Sequence, residues 1–597
     1  MTDSPLINKA RTDLHSSIQE NGESDEFLAT HPWVRHYEQG VPACLDIPDR
    51  SLVWLLDNTA QRHPDHTALI YYGSTLTYAR LSMLTKRFAI GLQKLGVQKG
   101  DRVAIALPNI PQYLIAFYGA LRAGAVVVPT NPLYTVHELQ HQLADAGAKI
   151  LIMLDMYYPM LRTIRQETEL EHIIVTSPTD YFSPLLRVLY PLSQRGTKLP
   201  TPSLTAKEIQ ADSTLHVMRT MLESRTKKGG IELFHLPPLA RGDDLAALQY
   251  TGGTTGTSKG AMLTHRNLLA NAMQTWSWTP DAREGEGVML CALPFFHAYG
   301  MTSAMNLSIL GASTMILLPR FKVKDVLHAI QRYRPTHFPG IPTMYIAIMR
   351  EASKHPDLLQ SIRCCISGGA PLPAQVQANF EQMTNGKLVE GYGLSEASPV
   401  THCNPLTDES RNGSIGLPMP NVEAGILDRQ TGELLPVGEV GEIVVKGPNI
   451  MRGYWNREKE TRDIFVNGWM RTGDIGKMDA DGFFYVVDRA KDLILASGFN
   501  VYPREVEETL YHHNAIAEAA VIGMPDSYRG ETVAAFVVLK HGYTPSEKMR
   551  EDIQNFCKQE LTAYKRPKIL EFRQSLPKSA VGKILRRELR PQVSSNV

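Results

Sequence analysis

The residues with the most evident chemistry lie in one run, YTGGTTGTSKGAMLTH, from Tyr250 to His265. Glycines, hydroxyls and one lysine crowd a short turn directly after the apolar run LAALQY. Glycines let backbone N–H groups converge on phosphate oxygens, and hydroxyls add donors where negative charge is densest. Thr251, Gly252, Gly253, Thr254, Thr255, Gly256, Thr257 and Lys259 are therefore candidates for gripping a polyphosphate. The run is not a Walker A loop, because Ser258 stands where that motif needs its second glycine. Taken alone, a Gly/Thr-rich turn also suits an ordinary hairpin.

Six further strings follow in order: PFFHAYG (Pro294 to Gly300), SGGAPLP (Ser367 to Pro373), EGYGLSE (Glu390 to Glu396), RTGDIG (Arg471 to Gly476), DRAKDLILASGFNVYP (Asp488 to Pro503) and PKSAVGKILRREL (Pro577 to Leu589). In this order and spacing the chain resembles the adenylate-forming acyl-CoA synthetase family, the AMP-binding superfamily, from about Pro32 to its C-terminus. HPWVRHYEQGVP near the start and LILASGFNVYPREVEE near the end make it most similar to the bacterial long-chain fatty-acid:CoA ligase branch.

The resemblance implies a two-step reaction. A carboxylate attacks the α-phosphate of ATP to give acyl-AMP and pyrophosphate, and the thiol of coenzyme A then displaces AMP. An anion attacking a polyanion needs its charge neutralised first. By resemblance Thr251 to Gly260 hold the β- and γ-phosphates, and Glu396, preceded by Ser395, is the Mg2+ carboxylate with Thr251 assisting. Lys583 bridges the attacking carboxylate and the phosphoryl oxygens. Tyr392, flanked by Gly391 and Gly393, offers a ring for the adenine to stack on, and Gly368, Gly369, Ala370 and Pro371 line its other side. Asp474 matches the acceptor of the ribose hydroxyls, and Arg489 a second ribose or phosphate contact. Lys491 and Gly498 are carried over as cofactor-binding positions, Lys491 also at the pivot of a mobile C-terminal domain. Without the motifs, Glu396 and Lys583 read as solvated charges, Asp474 as a turn residue and Tyr392 as core. Ser395 departs from the family's usual Thr but keeps the hydroxyl.

The acyl side is the least constrained. Amino-acid-activating relatives carry an aspartate for the substrate ammonium at the position of His297. A cationic amine without a buried anion has no partner, so amino acids are disfavoured. His297 stands with Lys583 and Glu396 among the catalytic candidates. Small residues in AYGMTSAMNLSILGAS, from Ala298 to Ser313, leave volume for an alkyl chain but equally suit close helix packing. The primary expectation is a medium- to long-chain fatty acid with ATP, Mg2+ and coenzyme A. The alternatives are an aryl or hydroxycinnamoyl-CoA ligase, or a fatty acyl-AMP ligase loading a carrier protein. A non-catalytic protein of the same fold is disfavoured by Lys583, Glu396 and Asp474 together.

Elements must hold these strings in place. RVAIALP reads as a strand, IPQYLIAFYGALRAGA as a helix and AVVVPTNP as a second buried strand. The alternation recurs at AKILIMLD, LILGASTMILLP and RCCISGGAPLP, the last followed by the helix PAQVQANFEQM. It predicts an α/β fold with mostly parallel sheets in a large multi-lobed N-terminal domain. The charged bridge Asp488 to Asp492 separates apolar FFYVV from apolar LILA, which sets domains at 1–490 and 491–597, the second a small α/β domain. Residues 181–230 break the pattern with eight basic residues against Glu208, Asp212 and Glu223. They read as a solvated excursion, or as attachment to anionic lipid through PLLRVLYPL.

Composition sets outer bounds. A chain of 597 residues exceeds one core. With 62 basic against 61 acidic residues, no net field recruits nucleic acid. The six cysteines lack zinc-site spacing and read as reduced thiols. Charges in MTDSPLINKARTDLHSS disfavour a signal peptide, and Pro108, Pro111 and Arg122 interrupt the longest apolar stretch. The expected location is cytoplasmic, with peripheral association at the inner face of the membrane and pairing as a homodimer left open.

Overall fold

A computed structural model describes residues 30–589 apart from 184–185, 187–203, 205, 224–237, 252–257, 280–281, 354, 408, 490–491, 493, 497–498, 527–529 and 580–583. The chain packs as two compact units, Met1–Glu423 with Gly447–Asp463, and Ala424–Lys446 with Ile464–Val597.

In the first unit a seven-stranded sheet runs Leu215–Val217, His172–Thr176, Ala148–Leu154, Arg102–Ala106, Val126–Pro129, Leu245–Thr251, Lys259–Thr264. All its pairings are parallel except the last, where Leu245–Thr251 and Lys259–Thr264 form a hairpin. The predicted strand, helix, strand unit is present as Arg102–Ala106, the helix Pro111–Arg122 and Val126–Pro129. Pro111 sits in the first turn, where its missing N–H costs nothing. Every residue of that helix is buried, as are all four of Val126–Pro129. An uninterrupted apolar run is what a strand covered on both faces requires. The next helix, Val136–Ala146, starts on a capping box between Thr135 and Glu138 and stops at Gly147, whose φ of 59° is left-handed.

Among the described residues this unit also holds two four-stranded sheets. One orders Val288–Cys291, Thr314–Leu317, Thr67–Tyr71 and Ser74–Thr77, and the other Cys364–Ser367, Lys387–Gly393, Val400–Cys403 and Leu417–Pro418. The predicted helix after RCCISGGAPLP spans Ala374–Met383.

The second unit holds two five-stranded sheets that are largely antiparallel. Short turns join Phe465–Val466 to Trp469–Met478 and that strand to Phe484–Arg489, each an antiparallel pair, whereas the helix Glu547–Glu560 carries the chain from Gly530–Leu539 to its parallel partner Ile569–Phe572. The helices Pro503–Tyr511 and Glu547–Glu560 pack through Val506, Leu510, Ile553 and Cys557 into an apolar core with Val521, Ala535 and Val537.

Among the described residues no helix is long and apolar enough to cross a membrane. Of the basic stretch 181–230, the structure describes the helices Ala206–Ala211 and Met218–Glu223 and the short strand Leu215–Val217. PLLRVLYPL lies mostly outside the described residues.

Candidate active site

The strand Leu245–Thr251 ends, and the strand Lys259–Thr264 begins, at the carboxyl edge of the parallel sheet, where open α/β sheets bind their ligands. Thr251 and Lys259 are register partners, and Ser258 Oγ donates to Thr251 O at 2.6 Å. They form the base of the hairpin whose tip, Gly252, Gly253, Thr254, Thr255, Gly256 and Thr257, lies outside the described residues. Gly260 packs against the Tyr250 ring, where an added Cβ would stand 3.1 Å from Cε2. The Tyr250 hydroxyl donates to Asp145 Oδ2 at 2.7 Å, and burial, then that carboxylate, raise its pKa.

Beside this hairpin stands Glu396. The strand Lys387–Gly393 passes into a 3-10 turn, Ser395–Ala397, and the segment 451–455 runs along both it and the hairpin. Met451 N donates to Glu396 O at 2.8 Å, Met262 N to Gly453 O at 2.8 Å and Trp455 N to Gly260 O at 2.8 Å. Tyr454 consequently reaches both candidates. Its hydroxyl donates to Glu396 Oε1 at 2.7 Å, and Lys259 Nζ lies 5.3 Å from its ring centroid. Lys259 Nζ is also 4.0 Å from Glu460 Oε1. The structure thus brings together Thr251, Lys259, Ser395 and Glu396, a carboxylate and a cation beside a hydroxyl-rich hairpin.

The loop Gly368, Gly369, Ala370, Pro371 leaves the end of the strand Cys364–Ser367, with Gly369 at φ 77°. Glu390, only 6% exposed, accepts the Leu372 N–H at 3.0 Å and ties this loop to the neighbouring strand that carries Tyr392. Tyr392 is half-buried, its ring 5.8 Å from that of His402 at 63°. Burial holds the His402 imidazole down at about 3. Gly393 has no room for a side chain, since a Cβ would meet Pro399 O at 2.0 Å.

His297 caps a short helix, Ala298–Gly300, its Nδ1 accepting the Tyr299 N–H at 3.3 Å. Two residues on, the Tyr299 ring packs on Gly368 and its hydroxyl donates to Ile366 O at 2.6 Å, so the His297 string is fastened to the Gly368 loop. Asn109 holds the same string from the other side, donating to Cys291 O and Leu293 O and accepting from Phe295 N. Gln249, two residues before Thr251, donates to Phe296 O at 3.1 Å. The chain from Met301 to Asn306 is a π-helix, a form that recurs at functional sites, and all of it is buried. Of the two readings of the small-residue segment, its glycines take close packing. A Cβ on Gly300 would fall 2.2 Å from Pro294 O, and one on Gly311 2.1 Å from the Trp276 ring.

In the second unit Asp474 is buried on the strand Trp469–Met478, opposite Arg489 in antiparallel register. Glu442 organises the RTGD string: it pairs with Arg471 at 2.5 Å and accepts Gly473 N–H at 3.1 Å. Lys491, Gly498 and Lys583 lie outside the described residues. Arg586, three positions past Lys583, pairs with Asp492 at 3.0 Å and Glu507 at 2.7 Å and stands 4.0 Å from Asp488. Asn109, Glu390, Glu442, Tyr454 and Arg586 were not singled out from sequence. A charge within an apolar strand, as in LVEGYG and GEIVVKG, is the signal that could have marked Glu390 and Glu442.

A cleft of about 590 Å3 opens elsewhere in the first unit, where Lys99, Arg102, Val126 and Leu245 mark the amino ends of the sheet strands. Lys99 and Asp244 pair within it at 2.8 Å, and it contains none of the predicted site residues.

Comparison with known proteins bears on both units. A family model described as AMP-binding enzyme matches residues 56–455, and one described as AMP-binding enzyme C-terminal domain matches 505–583. A long-chain-fatty-acid–CoA ligase of Bacillus subtilis (strain 168) is 47% identical over 95% of this chain and 98% of its own. The enzyme of the same name from Salmonella typhimurium is 38% identical over 95% and 99%. Among solved structures, ATP-bound MatB from Rhodopseudomonas palustris superposes with a TM-score of 0.77 at 30% identity, over 91% of this chain and 98% of that one. With sequence agreement running the length of the chain, and the hairpin, the Glu396 turn and the RTGD strand all present, this chain belongs to the AMP-binding enzyme family.

Proposed function

We propose that this chain activates a medium- to long-chain fatty acid with ATP and Mg2+ and passes the acyl group to coenzyme A. The observation that carries the reading is the convergence of Lys259 and Glu396 on one tyrosine beside the glycine- and threonine-rich hairpin, in a chain that matches long-chain ligases almost end to end.

The donor set fits the groups involved. Magnesium is commonly held by one or two carboxylates together with phosphate oxygens and water, and Glu396 keeps one oxygen without a partner among the described residues. Glu396, with Thr251, would hold the ion, which when bound offsets phosphate charge. Thr251 and Lys259 with the hairpin between them receive the β- and γ-phosphates. Tyr392 and the Gly368 loop flank the adenine, while Asp474 and Arg489 take the ribose. Lys583 steadies the attacking carboxylate as its oxygen bonds to the α-phosphorus and the bond to pyrophosphate breaks. The thiolate of coenzyme A then bonds to the acyl carbon, and AMP leaves with the former bridging oxygen. Lys491 is the pivot on which residues 491–597 move between the halves.

His297, whose Nδ1 accepts the Tyr299 N–H, stands where amino-acid-activating relatives carry an aspartate, in keeping with a substrate that bears no ammonium. Coenzyme A-dependent AMP release across acetate, octanoate, palmitate, oleate and coumarate tests the reading. We expect kcat/KM to climb with acyl length by about 0.8 kcal/mol per methylene buried, until the pocket is full. A flat profile would remove the long-chain reading, and a preference for coumarate would replace it with the aryl-CoA ligase alternative.

A further inference from the structure

We infer that Tyr454 is a positioning residue that holds the Glu396 carboxylate in one orientation for the metal; this rests on Glu396 being the metal carboxylate. Nothing in the strings that identify the family points to Tyr454. Its claim comes from what surrounds it.

The residue is fixed at the level of backbone. Arg452 N donates to Met262 O, Met262 N to Gly453 O and Trp455 N to Gly260 O, which lays the segment 451–455 antiparallel along the hairpin's second strand. Tyr454 N donates to Thr461 Oγ1 at 2.9 Å, and Gly453, at φ 149°, lies where a Cβ would strike the Thr461 methyl at 2.6 Å. The ring therefore has one place to go. It is 8% exposed, and among the described residues its hydroxyl has one acceptor, Glu396 Oε1 at 2.7 Å.

Glu396 itself sits in a single 3-10 turn, a short element with little to restrain a long side chain. A hydrogen bond to one carboxylate oxygen leaves the other for a cation and removes the rotamer freedom that binding would otherwise have to quench. The same ring lies under Lys259 Nζ, so one side chain bears on the anion through its hydroxyl and on the cation through its face. A tyrosine is the side chain that does both; phenylalanine keeps only the second.

Tyr454→Phe separates the two contacts, and Glu396→Gln serves as comparator. Mn2+, an EPR-visible stand-in for Mg2+, is titrated into each protein with ATP present. Pyrophosphate formation against Mg2+, the KM for palmitate, thioester formation from supplied acyl-AMP, and melting temperature are measured alongside. We expect Tyr454→Phe to weaken Mn2+ binding and raise the half-saturating Mg2+ by about tenfold, the effect of one hydrogen bond to a charged group. The KM for palmitate, the thioester half and the melting temperature should stay at wild-type values. In the Glu396→Gln background the Phe substitution should add nothing further. A Tyr454→Phe titration that superimposes on wild type while Glu396→Gln shifts overturns the inference and leaves Glu396 in its role. No shift in either variant overturns the Glu396 assignment and this inference with it. An equal fall in both half-reactions with a lowered melting temperature marks Tyr454 as a packing residue and also overturns it.

Discussion

Glu396 is the residue on which the proposed chemistry depends most. Replacing it with Gln keeps the shape and a weak oxygen but removes the charge, so adenylation should fall by about two orders of magnitude or more while the fold persists. Magnesium dependence unchanged from wild type in Glu396→Gln would move the metal elsewhere. Buried histidines make a second prediction at this scale. Burial holds the imidazoles of His265 and His337 down at about 4. Desolvation is the leading cause at both sites, and the Arg363 charge adds to it at His337. His265 Nδ1 accepts the Leu52 N–H at 3.1 Å, a bond only the neutral ring can make. An unfolded histidine titrates near 6.5, so the native state prefers the neutral form. The stability this supplies is complete above about pH 6.5 and is lost as pH falls towards about 4. The melting temperature should therefore be level from about pH 7 to 8 and drop across that window. His265→Gln should make the drop shallower, and an identical slope in the variant would remove His265 as a contributor.

At the scale of elements, the stretch after His297 shows how composition can carry two meanings. Gly, Ala and Ser suit an alkyl tunnel or tight packing, and at Gly300 and Gly311 neighbouring atoms already occupy the space. Gly300 faces the Pro294 carbonyl, which is backbone and cannot rotate away. Gly300→Ala should destabilise the protein by about 1–3 kcal/mol through overpacking and displace the helix that His297 caps. A thermal melt and the KM for palmitate check this together. A melting temperature equal to wild type would show that the Pro294 turn yields to the methyl group.

For the whole molecule, the decisive test sets Lys583 against Lys491. If residues 491–597 deliver Lys583 for adenylation and then move about Lys491 to admit the thiol, the two residues should fail in opposite halves. Lys583→Ala should depress acyl-AMP formation by orders of magnitude and spare thioester formation from supplied acyl-AMP. Lys491→Pro restricts φ to about −65° and should do the reverse, since it alters motion rather than charge. Pyrophosphate release and thioester yield, measured separately, distinguish them. Equal losses in both halves for both variants would remove the alternating mechanism.

Much of this was legible in the chain before folding. Periodicity marks Arg102–Ala106, Pro111–Arg122 and Val126–Pro129, because a buried parallel strand must be apolar on both faces and proline can open a helix. Glycine and hydroxyl spacing mark the hairpin after Leu245–Thr251, because backbone reach depends on local residues alone. The partners of those residues were another matter. Tyr454 meets Glu396 across 58 positions, Asn109 meets Phe295 across 186, and Arg586 meets Asp492 across 94. No local pattern encodes such pairs, since side-chain direction and the path of the intervening chain decide them together. The sequence by itself determined the family, the order of elements and the chemical types at the site. Only the tertiary structure decided that the glycines after His297 are packed against neighbours, and that one tyrosine joins the carboxylate to the lysine, because both depend on atoms brought close from distant parts of the chain.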